Sequence, residues 1–357
     1  MLAQCALQRE GGDDHPCADL VQTSGRALHK IRHGGTRDFP EGAPLRACAG
    51  WGRRAASAVQ GRATIASFLT DLKHMESHEP QGAADPLVDA AGQRHRRAGN
   101  EARIVSLVPS LTELLFDLGL GERVVGRTGF CVHPREALRA VPKVGGTKDV
   151  KLERVRELAP THVLVNMDEN RRETVDELAA FVPHIVVTHP NAPQDNLGLF
   201  ALLGGIFGAE DPAARLADDL RAALAEAATL RKTLPDERVL YLIWREPWMT
   251  IARDTYIAAT LEAVGWHTLP AVEGGETGAA RYPAFDWDAP WIESVERVLL
   301  STEPYRFRAS HVDEVEGLAA RPALLVDGEM VSWYGSRAAT GLRWLCALRR
   351  ALAKASG

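Results

Sequence analysis

The sequence predicts an α/β protein of two lobes, each a parallel sheet with flanking helices, joined by a single long rigid helix. Three observations carry this expectation. From residue 103 onward short apolar strands alternate with helical stretches, the pattern that parallel sheets covered by helices produce. The alternation comes as two series, separated by DPAARLADDLRAALAEAATLRKTL, which holds no helix breaker from 213 to 233. A length of 357 residues leaves room for two or more domains. Each series, closed into a sheet with helices on both faces, makes a Rossmann-like lobe.

The first series opens with RIVSLVPSLTELL (103–115), a buried strand that ends at Pro109 and turns at once into a helix. Ser110 and Glu113 have capping-box spacing, which aims free backbone N–H groups beyond the strand's carboxyl end. That edge of a parallel sheet is where α/β proteins bind ligands. Strands are expected at 103–108, 124–126, 162–166 and 184–188, with helices at 111–118, 150–158 under an Asp149 cap, and 170–181. The joining helix takes Asp211 as its N-cap and Pro212 as its first residue; a helix over 212–233 is ~33 Å long, enough to bridge two lobes and stiff enough to fix their separation. The second series predicts strands at 238–244, 297–301 and 323–326 and a helix at 255–264 between Asp254 and Gly265. It ends in a helix over 336–354 with Leu342, Leu345, Leu348 and Leu352 at core spacing. The domains are therefore 75–210, the helix 211–234, and 235–357.

Residues 1–74 are rich in Gly, Arg, His and Ala without sustained periodicity, and read as a disordered leader or as the product of a start assigned too early, with translation beginning at Met75. Arg53-Arg54 has the form of a twin-arginine signal and Leu45 to Cys48 that of a lipoprotein box, yet neither has the apolar core of export signals beside it. The sequence as it stands is thus expected to be cytoplasmic, or periplasmic if the true start or export route differs. A formal charge of -5 gives no basic excess for nucleic acid, and no apolar run is long enough for a membrane span. Of five cysteines, only Cys131 and Cys346 lie in the part expected to fold, which implies neither a disulfide framework nor a zinc cluster.

Signatures of catalysis are absent: Gly119-x-Gly121 stops a helix, Gly145-Gly146-Thr147-Lys148 has the wrong order for a P-loop, and there is no G-x-S-x-G, HExxH or CxxC. No enzyme activity and no intrinsic cofactor are expected. Aromatic and ionisable residues instead gather at strand ends and in loops, as flat rings beside guanidinium groups suited to a large, partly apolar, partly anionic ligand. One wall of a cleft is expected from Ser110, Phe130, Cys131, His133, Lys148, Glu169 and Arg171, the other from Trp248, Arg281, Tyr282, Tyr305, Trp333 and Tyr334. Cys131 and His133 offer a sulfur and an imidazole, but two groups do not close a metal site, so no metal ligand is assigned firmly. His162, His184 and His189 read as structural residues on or beside strands.

With these segments in order, the chain from about 84 to 354 resembles the solute-binding proteins of ABC importers for cobalamin, haem and ferric siderophores. The residues that carry the likeness are RIVSLVPSLTELLFDLGLGERVVG (103–126), VGGTKDVKLERVRELAPTHVLVN (144–166), the helix at 212–233 and SWYGSRAATGLRWLCALRRAL (332–352). FCVHP and ENRRE also resemble an unexported branch of these helical-backbone metal receptors. The resemblance implies a monomeric receptor that captures a cobalt or iron chelate between its lobes. It also implies docking on an ABC permease through one exposed acid per lobe, Glu153 and Asp288. The alternative is a cytosolic enzyme or handling protein that acts on such a ligand without transport.

Overall fold

The computed structural model describes residues 87–356. The leader, Cys5, Cys17, Cys48 and the start at Met75 lie outside them. Two four-stranded parallel sheets form in chain order. The first contains β1 (Ile104–Ser106), β2 (Val124–Arg127), β3 (His162–Asn166) and β4 (His184–Thr188), arranged β2-β1-β3-β4. The second contains β5 (Glu237–Leu242), β6 (Trp266–Thr268), β7 (Arg297–Ser301) and β8 (Ala323–Val326), arranged β6-β5-β7-β8. The two orders are the same pattern repeated, with each lobe's first strand inside its sheet and the second at the edge.

Helices α1 (Pro109–Asp117), α2 (Leu152–Glu157) and α3 (Arg172–Ala179) serve the first lobe, followed by α4 (Asn196–Phe207). The joining helix α5 occupies Glu210–Arg231, and α6 (Tyr256–Ala263), α7 (Val312–Ala319), α8 (Gly328–Ser332) and α9 (Arg337–Ser356) complete the second lobe. Several caps differ from expectation. The residue before α1 is Val108, so Ser110 lies inside the first turn and Glu113 is turned to an ion pair with Arg337. Helix α5 begins one residue before Asp211. Thr255 caps α6 by accepting from the Ala258 N–H, while the Asp254 carboxylate holds the N–H groups of Gly274 and Gly275. At α2 the N-cap position is Lys151 and not Asp149.

Helix α5 shows how the lobes are joined. Its buried residues Ala213, Ala217, Leu220, Ala223, Ala227 and Leu230 form one stripe at steps of three and four, which seats it between α4 and α9. Small residues allow close approach: a Cβ on Gly204 of α4 would come 2.7 Å from the Ala213 Cβ. One apolar layer runs from Leu111 and Leu114 of α1 through α4, α5 and α6 to Leu342 and Leu345 of α9. Separate clusters fill the outer face of each sheet, around Val163 and Leu178 in the first lobe and around Leu240 and Phe307 in the second. The helix is therefore not a free rod holding two halves apart; it is the middle of a core that both lobes share.

Candidate functional site

The two lobes meet along a seam at the carboxyl ends of their strands. Directly after β3, Asp168 receives an ion pair from Arg281 of the second lobe at 3.2 Å. Arg281 is 1% exposed, and its terminal nitrogens also donate to Asn191 Oδ1, just after β4, and to the Gly275 carbonyl, each at 2.7 Å. Further along the seam the chain of charges runs Glu113, Arg337, Glu329, His133: Arg337 holds Glu113 at 2.6 Å and Glu329 at 2.9 Å, and Glu329 meets His133 Nε2 at 3.0 Å. The His133 ring stands edge-on to Trp333, whose other neighbour is the Arg337 guanidinium, 4.9 Å from its ring centre. At the back of the seam Gly335, with φ +84°, lies against the first turn of α1, and its N–H donates to Asn196 Oδ1.

Local sequence explains how these groups arrive. Gly145 takes φ +110° and pairs with Val150 in a small hairpin, whose tip sends Lys148 Nζ to the Asp168 carbonyl at 2.7 Å and gives the Thr147 carbonyl to Asn170. Asn166 closes the loop after β3 by accepting from the N–H groups of Asp168 and Glu169. Glu169, partly open to the seam, is pushed up to about 7 by burial, with the charges of Glu303 and Asp168 adding to the shift and Lys148 opposing it. Glu303, two residues beyond β7, is likewise raised to about 7 by burial and by Glu329, although Ser332 and the Trp333 indole donate to it.

The seam also holds buried polar atoms with no hydrogen-bond partner: Ser110 Oγ, Asp168 Oδ1, Arg281 Nε, His189 Nε2 and the Tyr334 hydroxyl. Most buried polar groups are paired, so such a concentration from both lobes at one place calls for an explanation. Beside it a cavity of about 560 Å³ is lined from the first lobe by Ala90, Met167, His189 and Asn191 and from the second by Asp254, Gly275, Glu276 and Arg281. That volume lies in the range of small-molecule sites. Among the described residues no three His, Cys, Asp or Glu side chains converge as a metal-ligand set.

The sequence-expected residues divide accordingly. Ser110, His133, Lys148, Glu169, Arg281, Trp333 and Tyr334 come together at the seam. Tyr282, the neighbour of Arg281, has its phenol raised by burial and by Asp168. Phe130 lies partly buried against Gly146. Cys131 does not face the seam: it is 1% exposed, receives a hydrogen bond from Thr112 Oγ1 at 3.0 Å, and burial raises its thiol, so a thiolate ligand is disfavoured. Arg171 is exposed and pairs with Asp149 at 3.6 Å. Trp248 packs with Trp287 and Phe307 on the outer face of the second sheet, and Tyr305 packs with Trp244 and Phe307. Residues not assigned to either wall beforehand are Asp168 and Glu303, which lie in loops the sequence marks as rich in ionisable groups, and Asn191, Glu329 and Arg337, together with His189, which was expected to be structural. All but Arg337 lie within three residues of a strand's end, and counting outward from the strands would have found them.

Two parallel sheets of matching strand order, a shared helical core and a polar seam between them define a two-lobed α/β protein. The chain belongs to the periplasmic binding protein family, whose model matches residues 104–289; this is a family of solute-binding proteins that are not enzymes. Over 219 residues it is 23% identical to the vitamin B12-binding protein of Vibrio parahaemolyticus, covering 61% of this chain and 74% of that one. It is 28% identical over 184 residues to the uncharacterized ABC transporter substrate-binding lipoprotein YvrC of Bacillus subtilis, a match covering 49% of this chain and 58% of the relative. The match to the vitamin B12-binding protein of Photorhabdus laumondii covers 33% of that protein. Among solved structures it is similar to the periplasmic vitamin B12 binding protein BtuF of Vibrio cholerae, with a TM-score of 0.60 at 16% identity, covering 70% of this chain and 96% of that one. The periplasmic haem-binding protein RhuT of Roseiflexus sp. RS-1 gives a TM-score of 0.58 at 23% identity, covering 70% and 98%. These structures bear on the fold.

Proposed function

We propose that this chain is a non-catalytic receptor that captures a metal chelate, cobalamin-like or haem-like, in the seam between its lobes. The observation that carries the reading is the set of unpartnered buried atoms contributed by both lobes, Ser110 Oγ, Asp168 Oδ1, Arg281 Nε, His189 Nε2 and the Tyr334 hydroxyl: a ligand wedged there would complete them. The metal would travel as part of the cargo, held by its own chelator. The names of the B12-binding and haem-binding relatives support the ligand class.

The reading includes delivery to an ABC permease. Glu153, in the first turn of α2, and Asp288, in the loop after Trp287, are both exposed, one on each lobe, as docking acids must be. A receptor of this kind works outside the inner membrane, in keeping with relatives named as periplasmic proteins or lipoproteins; no helix among the described residues is long and apolar enough to cross a membrane. Cell fractionation tests the compartment, since a purely cytoplasmic pool would leave handling of the same ligand without transport. Native mass spectrometry of protein purified without added ligand, with metal analysis of the same sample, tests the cargo. A retained mass carrying stoichiometric cobalt or iron is expected. Protein that binds neither cyanocobalamin nor iron protoporphyrin would refute the reading.

A further inference from the structure

We propose that the seam selects a ligand whose periphery is neutral and amide-like, and discriminates against one that presents carboxylates. The inference rests on the chelate-receptor reading and narrows it by charge.

The first observation is that the cations of the seam are already engaged. Arg281 is held by Asp168, Asn191 and the Gly275 carbonyl. Arg337 is held by Glu113 and Glu329, and Lys148 by the Asp168 carbonyl. An arriving carboxylate would compete with these contacts for counter-charge, and the unpaired Arg281 Nε belongs to a guanidinium whose charge Asp168 already balances. The second is the excess of acids from both lobes. Asp168 and Glu169 extend from the first sheet, Glu303 and Glu329 from the second, and Asp254 and Glu276 line the adjoining cavity. Burial above all, with the charges of Glu303 and Asp168 adding to it, resists ionisation of Glu169. A carboxylate placed among these acids adds a like charge in a partly buried site, an arrangement that costs affinity.

The third observation concerns what is left unpaired. Arg281 Nε is a donor only, Asp168 Oδ1 is an acceptor when ionised, and the hydroxyls of Ser110 and Tyr334 serve as either. Arg281, Ser110 and Tyr334 are all more than nine-tenths buried. A primary amide matches this mixture, since its carbonyl accepts from Arg281 Nε or a hydroxyl while its NH₂ donates to Asp168. A carboxylate has no proton for Asp168.

The test compares cyanocobalamin, whose ring edge carries amides, with iron protoporphyrin, which carries two carboxylates, and with the dimethyl ester of that porphyrin as a control of the same shape without charge. Binding is measured by tryptophan quenching for the wild-type full chain and for Glu169→Gln, Glu303→Gln and the double variant. Cyanocobalamin is expected to bind at least about tenfold tighter than the free acid, and the ester tighter than the acid. The double variant should narrow the gap between ester and acid. Wild-type protein that binds the free acid as tightly as its ester and as cyanocobalamin would overturn the inference, whatever the variants do, and leave the chelate-receptor reading standing. Failure of all three probes to bind would remove that reading and the inference with it.

Discussion

The ion pair between Asp168 and Arg281 gives the sharpest test of the seam. Arg281 is 1% exposed and the Asp168 side chain 15%, so each is largely removed from water and depends on its partner. Replacing Arg281 by Met keeps most of the volume and removes the charge, which strands Asp168 and frees Asn191 Oδ1. Breaking a buried pair by removing one member costs about 3–5 kcal/mol. Asp168 keeps some exposure and a weak second contact with His189 at 3.6 Å, which places the expected loss at the lower end, about 3 kcal/mol. At roughly 2–4 °C per kcal/mol for a chain of this size, the melting midpoint should fall by about 6–12 °C. Adding Asp168→Asn removes the stranded charge and should recover a substantial part of the loss, so that the double-mutant cycle shows a coupling energy of at least about 1 kcal/mol. Thermal and urea unfolding of wild type, both single variants and the double variant measure it. Single losses below about 1 kcal/mol that simply add would show the pair to be screened by water, and the seam would then be open and wet at this point.

Four further outcomes follow from the same packing. Gly204→Val should destabilise by about 1–3 kcal/mol in urea unfolding, because its Cβ meets the Ala213 Cβ and the Ala209 carbonyl, neither of which can swing aside. Glu237→Gln should cost about 2–3 kcal/mol by thermal melting, since Glu237 serves Arg297, Arg349 and the Trp266 indole together and Arg349 is 7% exposed in its side chain. His162 is lowered to about 4 by burial and by the neighbouring His184 and His95. The unfolded chain therefore binds the extra proton first, stability rises with pH between about 4 and 6.5, and His162→Gln should flatten that limb of the stability profile. Glu169 and Glu303 act in the opposite sense: both are raised to about 7, the folded state keeps protons that the unfolded state has lost, and their contribution falls as pH climbs from about 4.5 to 7. Unfolding of the Glu169→Gln, Glu303→Gln double variant across this range should show a shallower decline than wild type.

How far the sequence revealed this molecule depends on what each segment's pattern reports. The strands at His162–Asn166, His184–Thr188, Arg297–Ser301 and Ala323–Val326 match their expected bounds, because short β-branched and leucine-rich runs between polar or proline punctuation leave little choice. Helix α4 was not foreseen: NLGLFALLGGIF is apolar on all sides, having α5 against it and the core around it, so no amphipathic period marks it. Cap residues were the least legible part. Ser110, Asp149, Asp211 and Asp254 all have capping chemistry, and the backbone used none of them as the N-cap; Asp254 serves a glycine loop instead. For the site, the loops were visible but the partners across the seam were not. That Glu113 meets Arg337 over 224 positions, or Asp168 meets Arg281, is decided by how the lobes pack, and no local pattern encodes it. Aromatic content misled in the same way, since Trp248 and Tyr305 looked like ligand surfaces and pack into the outer cluster of the second lobe.

The shared core limits how such a receptor can open. Swinging the lobes apart as rigid halves would pull Leu111 and Leu114 of α1, with the residues of α4, away from α6 and α9, which form one continuous apolar layer. At about 25 cal/mol per Å² of apolar surface, exposing even 200 Å² would cost about 5 kcal/mol, comparable to the stability of a whole domain. The seam itself resists less, because its contacts are a few ion pairs and hydrogen bonds between side chains: Arg281 with Asp168, His133 with Glu329, and Arg337 with Glu113. A ligand can displace these one at a time while the helical layer behind them stays closed. Access therefore falls to loops after β3, β4, β7 and β8 moving about a fixed back wall, and small shear movements replace a wide hinge. On this account hydrogen exchange on ligand binding should change in those loops and leave the amides of α4, α5 and α9 unaltered. Protection that changed along α5 would place the motion in the core and refute the fixed wall.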